Sequence, residues 1–178
     1  MQDSAANKTP PNTSNDSEET LSGLEVAEQV KMMARRMALM YHHIAEVLVE
    51  DQGKERAREL LKEAIWRYGT ETGESVRAAV LAMGLPPTIE NFSRGSDLPK
   101  YGWRTKSVHD NGEWHPTVDY CPLAAVWLDK GSEEMGRIYC DVDQAKFLAY
   151  NNLECVHKKN LLDGDDYCIV SVKAKDSE

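Results

Sequence analysis

The apolar residues follow two different periods along the chain. Between Val26 and Val47 they recur at steps of three and four residues, which predicts one long amphipathic helix. Ser22 and Glu25 stand just before this run at the spacing of a capping box, and Gln52-Gly53 marks the expected end. The helical stripe consists of Val26, Val30, Met33, Met37, Met40, Ile44 and Val47. Because it is rich in methionine, core packing is the simpler interpretation, and a flexible wall that faces a ligand is the alternative.

A second helical period covers Lys54–Met83. Gly69 and Gly73 interrupt it, so the pattern also allows a kink or two shorter helices. The run Gly84-Leu85-Pro86-Pro87 is a strong stop signal. The two helices are expected to form an antiparallel pair over a sheet, followed by a polar connection.

From Tyr101 onward the apolar period changes to that of strands. The predicted strands are Trp103–Val108, Trp114–Tyr120, Leu153–His157 and Tyr167–Val172. Asn111-Gly112 between the first two is a strong hairpin signal. Because side chains alternate along a strand, Cys168 should share its inward face with Val170 and Val172.

Short helical segments interrupt the predicted strands. Pro122 favours a helix start, so Cys121 is placed at the N-cap of a helix that ends near Gly131. Ile138-Tyr139-Cys140 is interpreted as a connector or short strand, and Asp141 as the N-cap of the next helix. These elements predict an α+β fold, in which an N-terminal helical pair packs on a mostly antiparallel sheet with short inserted helices.

The domain organisation follows from composition. Residues 1–20 are polar without an apolar period, which is typical of a disordered tail. Residues 21–178 are long enough for a single α+β domain. Deleting residues 1–20 is therefore expected to leave melting temperature and activity nearly unchanged.

The charge balance argues against some classes of partner. The 178 residues carry 21 basic and 30 acidic side chains, a net charge of -9, which disfavours nucleic acid and anionic membrane surfaces. No run reaches the ~18 consecutive apolar residues of a membrane span. The sequence also lacks the pattern of a signal peptide, so we expect a cytoplasmic protein with a small-molecule partner and reduced cysteines. A homo-oligomer is allowed.

Cys121 and His115 are the first candidates for chemistry. The backbone dipole and free N–H groups at a helix N-terminus lower the pKa of a thiol, which favours a reactive Cys121. An inert buried cysteine is the alternative. His115 precedes Cys121 by six residues, and an even offset along a strand keeps one face, so His115 is expected to reach the same cleft and move protons. A structural histidine is the simpler interpretation.

Acidic and metal-binding patterns remain open to two interpretations each. Asp141 and Asp143 could share a proton or hold a cationic nitrogen, although capping and first-turn charge explain them without chemistry. A zinc site assembled from Cys121, Cys140 and Cys168 with His115 is an alternative, but no Cys-x-x-Cys pair supports it, and no cofactor is predicted. A second set, His42, His43 and Glu46, has helical spacing and is more simply a solvated face.

Several short motifs resemble the L-2-amino-thiazoline-4-carboxylic acid hydrolase family. They are Tyr120-Cys121-Pro122-Leu123-Ala124 with Trp127, Ile138–Asp143 after Gly136, Tyr150-Asn151, and Leu162–Cys168. The similarity spans roughly residues 53–172, including Tyr68-Gly69 on the second helix.

The resemblance implies a hydrolase that opens a small cyclic amidine, 2-aminothiazoline-4-carboxylate or a related heterocycle, to an N-carbamoyl cysteine or its equivalent. Such a carbon suits a thiolate nucleophile, acids that hold the N–C–N cation and a proton-carrying histidine. Cys121, His115, Asp141 and Asp143 are the candidate catalytic residues. Cys140, Asn151 and Cys168 are the candidate substrate-binding residues, and we expect the cysteines at 121, 140 and 168 to share one pocket. A non-catalytic binding domain and a metal-dependent hydrolase or lyase are the alternatives.

Overall fold

The computed structural model describes residues 21–95, 97–110 and 113–175. The helices are α1 (Gly23–Gln52), α2 (Lys54–Ala82), α3 (Ile89–Phe92), α4 (Pro122–Lys130), α5 (Glu133–Tyr139) and α6 (Val142–Asn151). The strands are β1 (Arg104–Asp110), β2 (Glu113–Tyr120), β3 (Leu153–Lys159) and β4 (Cys168–Ala174). Two short 3-10 helices cover Ser93–Gly95 and Leu161–Asp163. The predicted tail at 1–20 and the predicted hairpin turn at Asn111-Gly112 lie outside the described residues.

The α+β architecture confirms the prediction. The four strands form one antiparallel sheet in the order β1-β2-β4-β3. β4 therefore lies inside the sheet, where Cys168 pairs with Val118 and Val170 pairs with His157. Cys168, Val170 and Val172 are all buried, as the strand alternation predicted. No helix in the described residues is long and apolar enough to cross a membrane.

The face that α1 turns to the core differs from the predicted one. The capping box at Ser22 and Glu25 forms as predicted. The buried positions, however, are Ala34, Ala38, Tyr41, His42 and Ala45, whereas most of the methionine-rich stripe is exposed. Small alanine side chains let the neighbouring helix come close, and the indole Nε1 of Trp127 on α4 donates to the Ala38 carbonyl oxygen at 3.0 Å. Close packing of small residues has therefore overridden the larger apolar ones.

The glycines of α2 serve packing. α2 is one continuous helix through Gly69 and Gly73, as the helical period predicted, without the division into two shorter helices that the pattern also allowed. A Cβ atom at Gly69 would lie 2.6 Å from the Val142 carbonyl oxygen, and one at Gly73 would lie 2.2 Å from that of Lys146. The two glycines thus allow α6 to lie directly against α2.

The short helices confirm the two predicted N-cap positions and overturn one predicted connector. Cys121 is the N-cap residue of α4, and the helix ends at Gly131 in the left-handed conformation, as predicted. Ile138-Tyr139-Cys140 is neither a connector nor a strand, because it belongs to the end of α5. Asp141 stands at the N-cap position of α6 without a capping hydrogen bond, since its carboxylate accepts one from Arg137 instead.

Candidate functional site

A cavity of about 680 Å³ opens between α1, α2, α4, α6 and the sheet. One group of lining residues, which we call the polar lining, consists of Asp97, Cys121, Cys140, Asp143, Lys146, His157, Asn160 and Cys168. A second group, the apolar lining, consists of Val30, Met33, Met37, Leu98, Pro99, Trp103 and Val118. Met33 and Met37 thus lie where the alternative interpretation of the methionine stripe put them, on a ligand-facing wall.

The fold brings three of the four cysteines to this cavity. Cys121 lies at the start of α4, Cys140 at the end of α5 and Cys168 on β4, and all three belong to the polar lining. The fourth, Cys155, is buried on β3 and packs in the core beside the sheet. The cysteines are free thiols, and the cavity is the place where their chemistry can converge.

Burial controls the acidity of these thiols. It raises the pKa of Cys121, opposite to the lowering that the helix N-terminus alone predicted. The Cys121 side chain makes no capping hydrogen bond of ordinary geometry, yet the N–H groups of Ala124 and Leu123 lie close enough to lower its pKa in part. Burial likewise raises the pKa of Cys140 to about 12 and raises that of Cys168. The resting site therefore holds protonated thiols at neutral pH.

The three cavity cysteines differ in the contacts of their sulfur atoms. The Cys140 thiol donates to the Gly136 carbonyl oxygen at 3.9 Å, which ties its proton into the turn of α5. The Cys168 sulfur accepts the backbone N–H of Leu161 at 3.4 Å. Cys121 instead faces the free N–H groups at the start of a nine-residue helix, which stabilise negative charge on sulfur.

A buried ion network occupies the same lining. Lys146 Nζ donates to Asp97 Oδ2 at 2.7 Å and to Asp143 Oδ1 at 2.8 Å, and the lysine side chain is 7 % exposed. Burial opposes ionisation of Asp143, but Lys146 and His157 hold the pKa of that carboxyl well below its usual range. Burial also opposes the Lys146 charge, but Asp143 and Asp97 raise the pKa of the ammonium above its usual value. Asp143 and Lys146 are therefore both ionised at neutral pH.

The hydrogen bonds of His157 are set by its two neighbours. The Asn160 Oδ1 atom accepts the backbone N–H of Leu162 at 2.9 Å, which fixes the orientation of the amide. The Asn160 Nδ2 donor then faces His157 Nδ1 at 3.0 Å, so Nδ1 is the acceptor. His157 Nε2 in turn donates to Asp143 Oδ2 at 3.1 Å. His157 therefore joins Asn160 to the Asp143 carboxylate through its two ring nitrogens.

The structure does not bring His115, Asp141 or Asn151 to the cavity. His115 lies on β2 with its Nε2 atom 3.3 Å from the Glu113 carboxylate, whereas Val118, an odd number of residues further along the strand, lines the cavity. His115 does not share a face with Cys121, because β2 ends at Tyr120 and Cys121 belongs to the turn into α4. Asp141 faces Arg137 at another surface depression, and Asn151 Oδ1 accepts from Arg77 at 3.2 Å.

The two candidate sets of metal ligands differ in whether the fold brings their side chains together. Among the residues that the structure describes, the set of three or more ligand atoms within 4.8 Å of one another comes from His42, His43 and Glu46 on α1. His42 is buried, while His43 and Glu46 are exposed. The predicted zinc set of three cysteines with His115 is not assembled, because His115 does not reach the cavity.

Sequence reasoning missed four residues of the polar lining: Asp97, Lys146, His157 and Asn160. Asp143 and Lys146 are three residues apart on a predicted helix, and that spacing could have identified the pair. His157 was recognised only as the end of a strand. Asp97 lies in the polar connection that follows the second helix. No local sequence pattern indicates that its side chain contacts α6.

The sequence of this chain matches the model of a known protein family. The family model described as L-2-amino-thiazoline-4-carboxylic acid hydrolase matches residues 31–171. The chain belongs to this family. That assignment confirms the resemblance in the cysteine-containing motifs, and it extends the match from β4 back into α1. No curated protein sequence matches the chain.

Two solved structures are similar to this chain to different degrees. A trafficking protein particle complex subunit 3 from Naegleria fowleri, covalently bound to palmitic acid, has a TM-score of 0.54 at 18% identity and is aligned over 82% of this chain and 97% of its own. The phenol-responsive sensory domain of the transcription activator PoxR, with phenol, has a TM-score of 0.47 at 13% identity over 77% and 73%. The first of these likenesses indicates a shared fold.

Proposed function

We propose that this protein is a cysteine-dependent hydrolase that opens a small cyclic amidine or related heterocycle. The observation that carries the proposal is Cys121, a free thiol on the cavity that faces the N-terminus of α4. Membership of a family named for hydrolysis of an aminothiazoline supports the reaction class. The polar lining supplies the other groups that such a reaction requires.

The proposed reaction has two steps. Cys121 Sγ forms a bond to the amidine carbon, the ring carbon–sulfur bond breaks, and the thiol proton passes to the departing ring sulfur. A water molecule then adds to the same carbon, the bond to Cys121 breaks, and the enzyme thiol regains a proton. The net change is addition of one water molecule, which converts the amidine to a urea and releases a thiol.

The roles of the other groups follow from their contacts. Burial is the main cause of the raised pKa of Cys121, and the Asp143 carboxylate adds to it, so both oppose formation of a thiolate. A cationic amidinium next to Asp143 would offset the carboxylate charge and make the thiolate easier to form. His157, bound to Asp143, is the proposed proton carrier in place of His115. Cys140 and Cys168 contribute sulfur atoms to the binding surface.

The test is mass-spectrometric turnover of a panel of thiazolines, hydantoins and lactams by the full chain. Replacement of a nucleophile should lower the rate by orders of magnitude, so we expect Cys121→Ala to abolish turnover and stay folded. Cys155→Ala, which changes a cysteine outside the cavity, is the matched control and should keep its activity if folded. A folded Cys121→Ala protein that retains most of its turnover would exclude this cysteine as nucleophile.

A non-catalytic ligand-binding domain is the second candidate, and the apolar lining favours it. Met33, Met37, Leu98 and Trp103 offer more contact surface than a small polar ring requires. If ligands stabilise the wild type against heat while no compound in the panel changes mass, the binding function replaces the hydrolase. Turnover that depends on Cys121 would reject it.

A further inference from the structure

We infer that the substrate carries a cationic or hydrogen-bond-donating head, an extended apolar body and no free carboxylate. This inference rests on the proposed function and departs from the compound in the family name, which is a carboxylate. It follows from two independent properties of the cavity, its charge and the size of its apolar lining.

The first property is the charge of the cavity lining. Lys146 is the sole cationic side chain on this cavity within residues 21–95, 97–110 and 113–175, and two carboxylates already bind its ammonium group. The two carboxylates and the one ammonium group, Asp97, Asp143 and Lys146, together carry a formal charge of -1. A substrate carboxylate would meet no unpaired cation here, and burying it without a partner is costly.

A cationic head matches the same groups. An amidinium presents N–H donors in a plane, the geometry that pairs well with a carboxylate. Asp143 and Asp97 are held in place by Lys146, so their remaining acceptor positions are pre-arranged. Binding of the cation would also remove the excess negative charge that opposes a thiolate at Cys121, which links recognition of the head to activation of the nucleophile.

The second property is the apolar lining. A cavity of about 680 Å³ lies within the range of sites for drug-sized ligands, and a single small ring would fill a minor part of it. A ligand of that size would leave several apolar side chains without a contact, namely Val30, Met33, Met37, Leu98 and Trp103. Methionine side chains adapt to irregular apolar shapes, so this lining suits an alkyl or aryl substituent on the substrate.

The direct test measures binding to the full-length Cys121→Ala variant, which separates recognition from turnover. The probes are linear alkylamidines from butyl to decyl, the fatty acids of equal length and the corresponding neutral amides, each studied by calorimetry. We expect the amidines to bind at least tenfold more tightly than the fatty acids. Affinity should rise with each added CH2 group by up to about fourfold.

Two pairs of variants locate the effect. Asp97→Asn, made in the Cys121→Ala background, should reduce the preference for amidine over fatty acid severalfold, while the exposed Asp129→Asn should leave it unchanged. Met37→Trp fills part of the cavity, so it should lower the affinity for decylamidine more than the affinity for butylamidine. Met40→Trp on the same helix, which lies outside the cavity, is its control. If Asp97→Asn fails to fold, the probe comparison in the parent variant still decides the charge argument.

The outcomes separate this inference from the proposed function. Equal or tighter binding of fatty acids, or no gain with chain length, overturns the inference even if wild-type protein hydrolyses a thiazoline. Amidine binding as predicted, without turnover of any heterocycle in the panel by the wild type, supports the inference and rejects the hydrolase. Turnover of 2-aminothiazoline-4-carboxylate as fast as that of its uncharged alkyl derivatives would also overturn it.

Discussion

The polar and apolar linings of the cavity are built on opposite principles. Each polar side chain of the Asp143–Lys146–His157–Asn160 network is fixed by a neighbour, and α6 is held against α2 by direct backbone contact. The apolar lining includes Met33, which is 59% exposed, and a connecting segment with an exposed Leu98. For the proposed function, this difference means that the reactive groups are pre-arranged while the surface for the substrate body is adaptable.

The largest effect is expected from Lys146→Met. Removing the ammonium leaves Asp97 and Asp143 without their common cation in a buried place, and such changes cost about 3 to 5 kcal/mol. Chemical denaturation should show this loss at neutral pH and a smaller loss at acidic pH, where the carboxylates become protonated. Lys62→Met on the exposed side of α2 is the control. Wild-type stability of the Lys146 variant would mean that the network does not hold the polar lining.

Gly73→Ala tests the backbone contact that positions α6. Alanine normally stabilises a helix by about 1 kcal/mol relative to glycine. Here its Cβ would meet the Lys146 carbonyl oxygen, so we expect overpacking to reverse the sign and cost about 1 to 3 kcal/mol. Thermal melting beside Ser75→Ala, an exposed position of α2, measures the difference. A stabilised Gly73→Ala protein contradicts the close approach of the two helices.

Acid titration should weaken the polar lining selectively. The folded pKa of Asp143 lies below the unfolded value, so its contribution to stability is complete above about pH 4 and is lost as pH falls toward the folded pKa. Denaturation midpoints of the wild type and of Asp143→Asn should therefore converge as the solution becomes more acidic. A difference between them that stays constant down to acidic pH would contradict an ionised, paired Asp143.

The smallest effect on stability is expected from Met33→Ala in the apolar lining. Because the side chain is largely exposed, its loss should change the free energy of unfolding by less than about 0.5 kcal/mol. Affinity for decylamidine should nevertheless fall severalfold, as measured by calorimetry. Met40→Ala, equally exposed at 60% but outside the cavity, should change neither quantity. A large loss of stability in the Met33 variant would show that this lining is ordinary core.

The sequence alone determined the features that depend on neighbouring residues. Capping chemistry at Ser22 and Glu25, the period of two in the strands and the proline after Cys121 act within a few residues, so the helix start, the strands and the N-cap cysteine could be predicted. The cysteine-containing motifs also identified the family, which the match over residues 31–171 confirms.

Only the tertiary structure decided which faces meet. The choice of alanines over methionines as the core face of α1, and the use of Gly73 as a contact with α6, depend on partners distant in sequence. The same holds for the polar lining, where Asp97, Asp143 and His157 come from three separate elements. Burial then reversed the expected effect on the pKa of Cys121, because desolvation of a thiolate outweighs the nearby backbone N–H groups and is a property of the assembled fold.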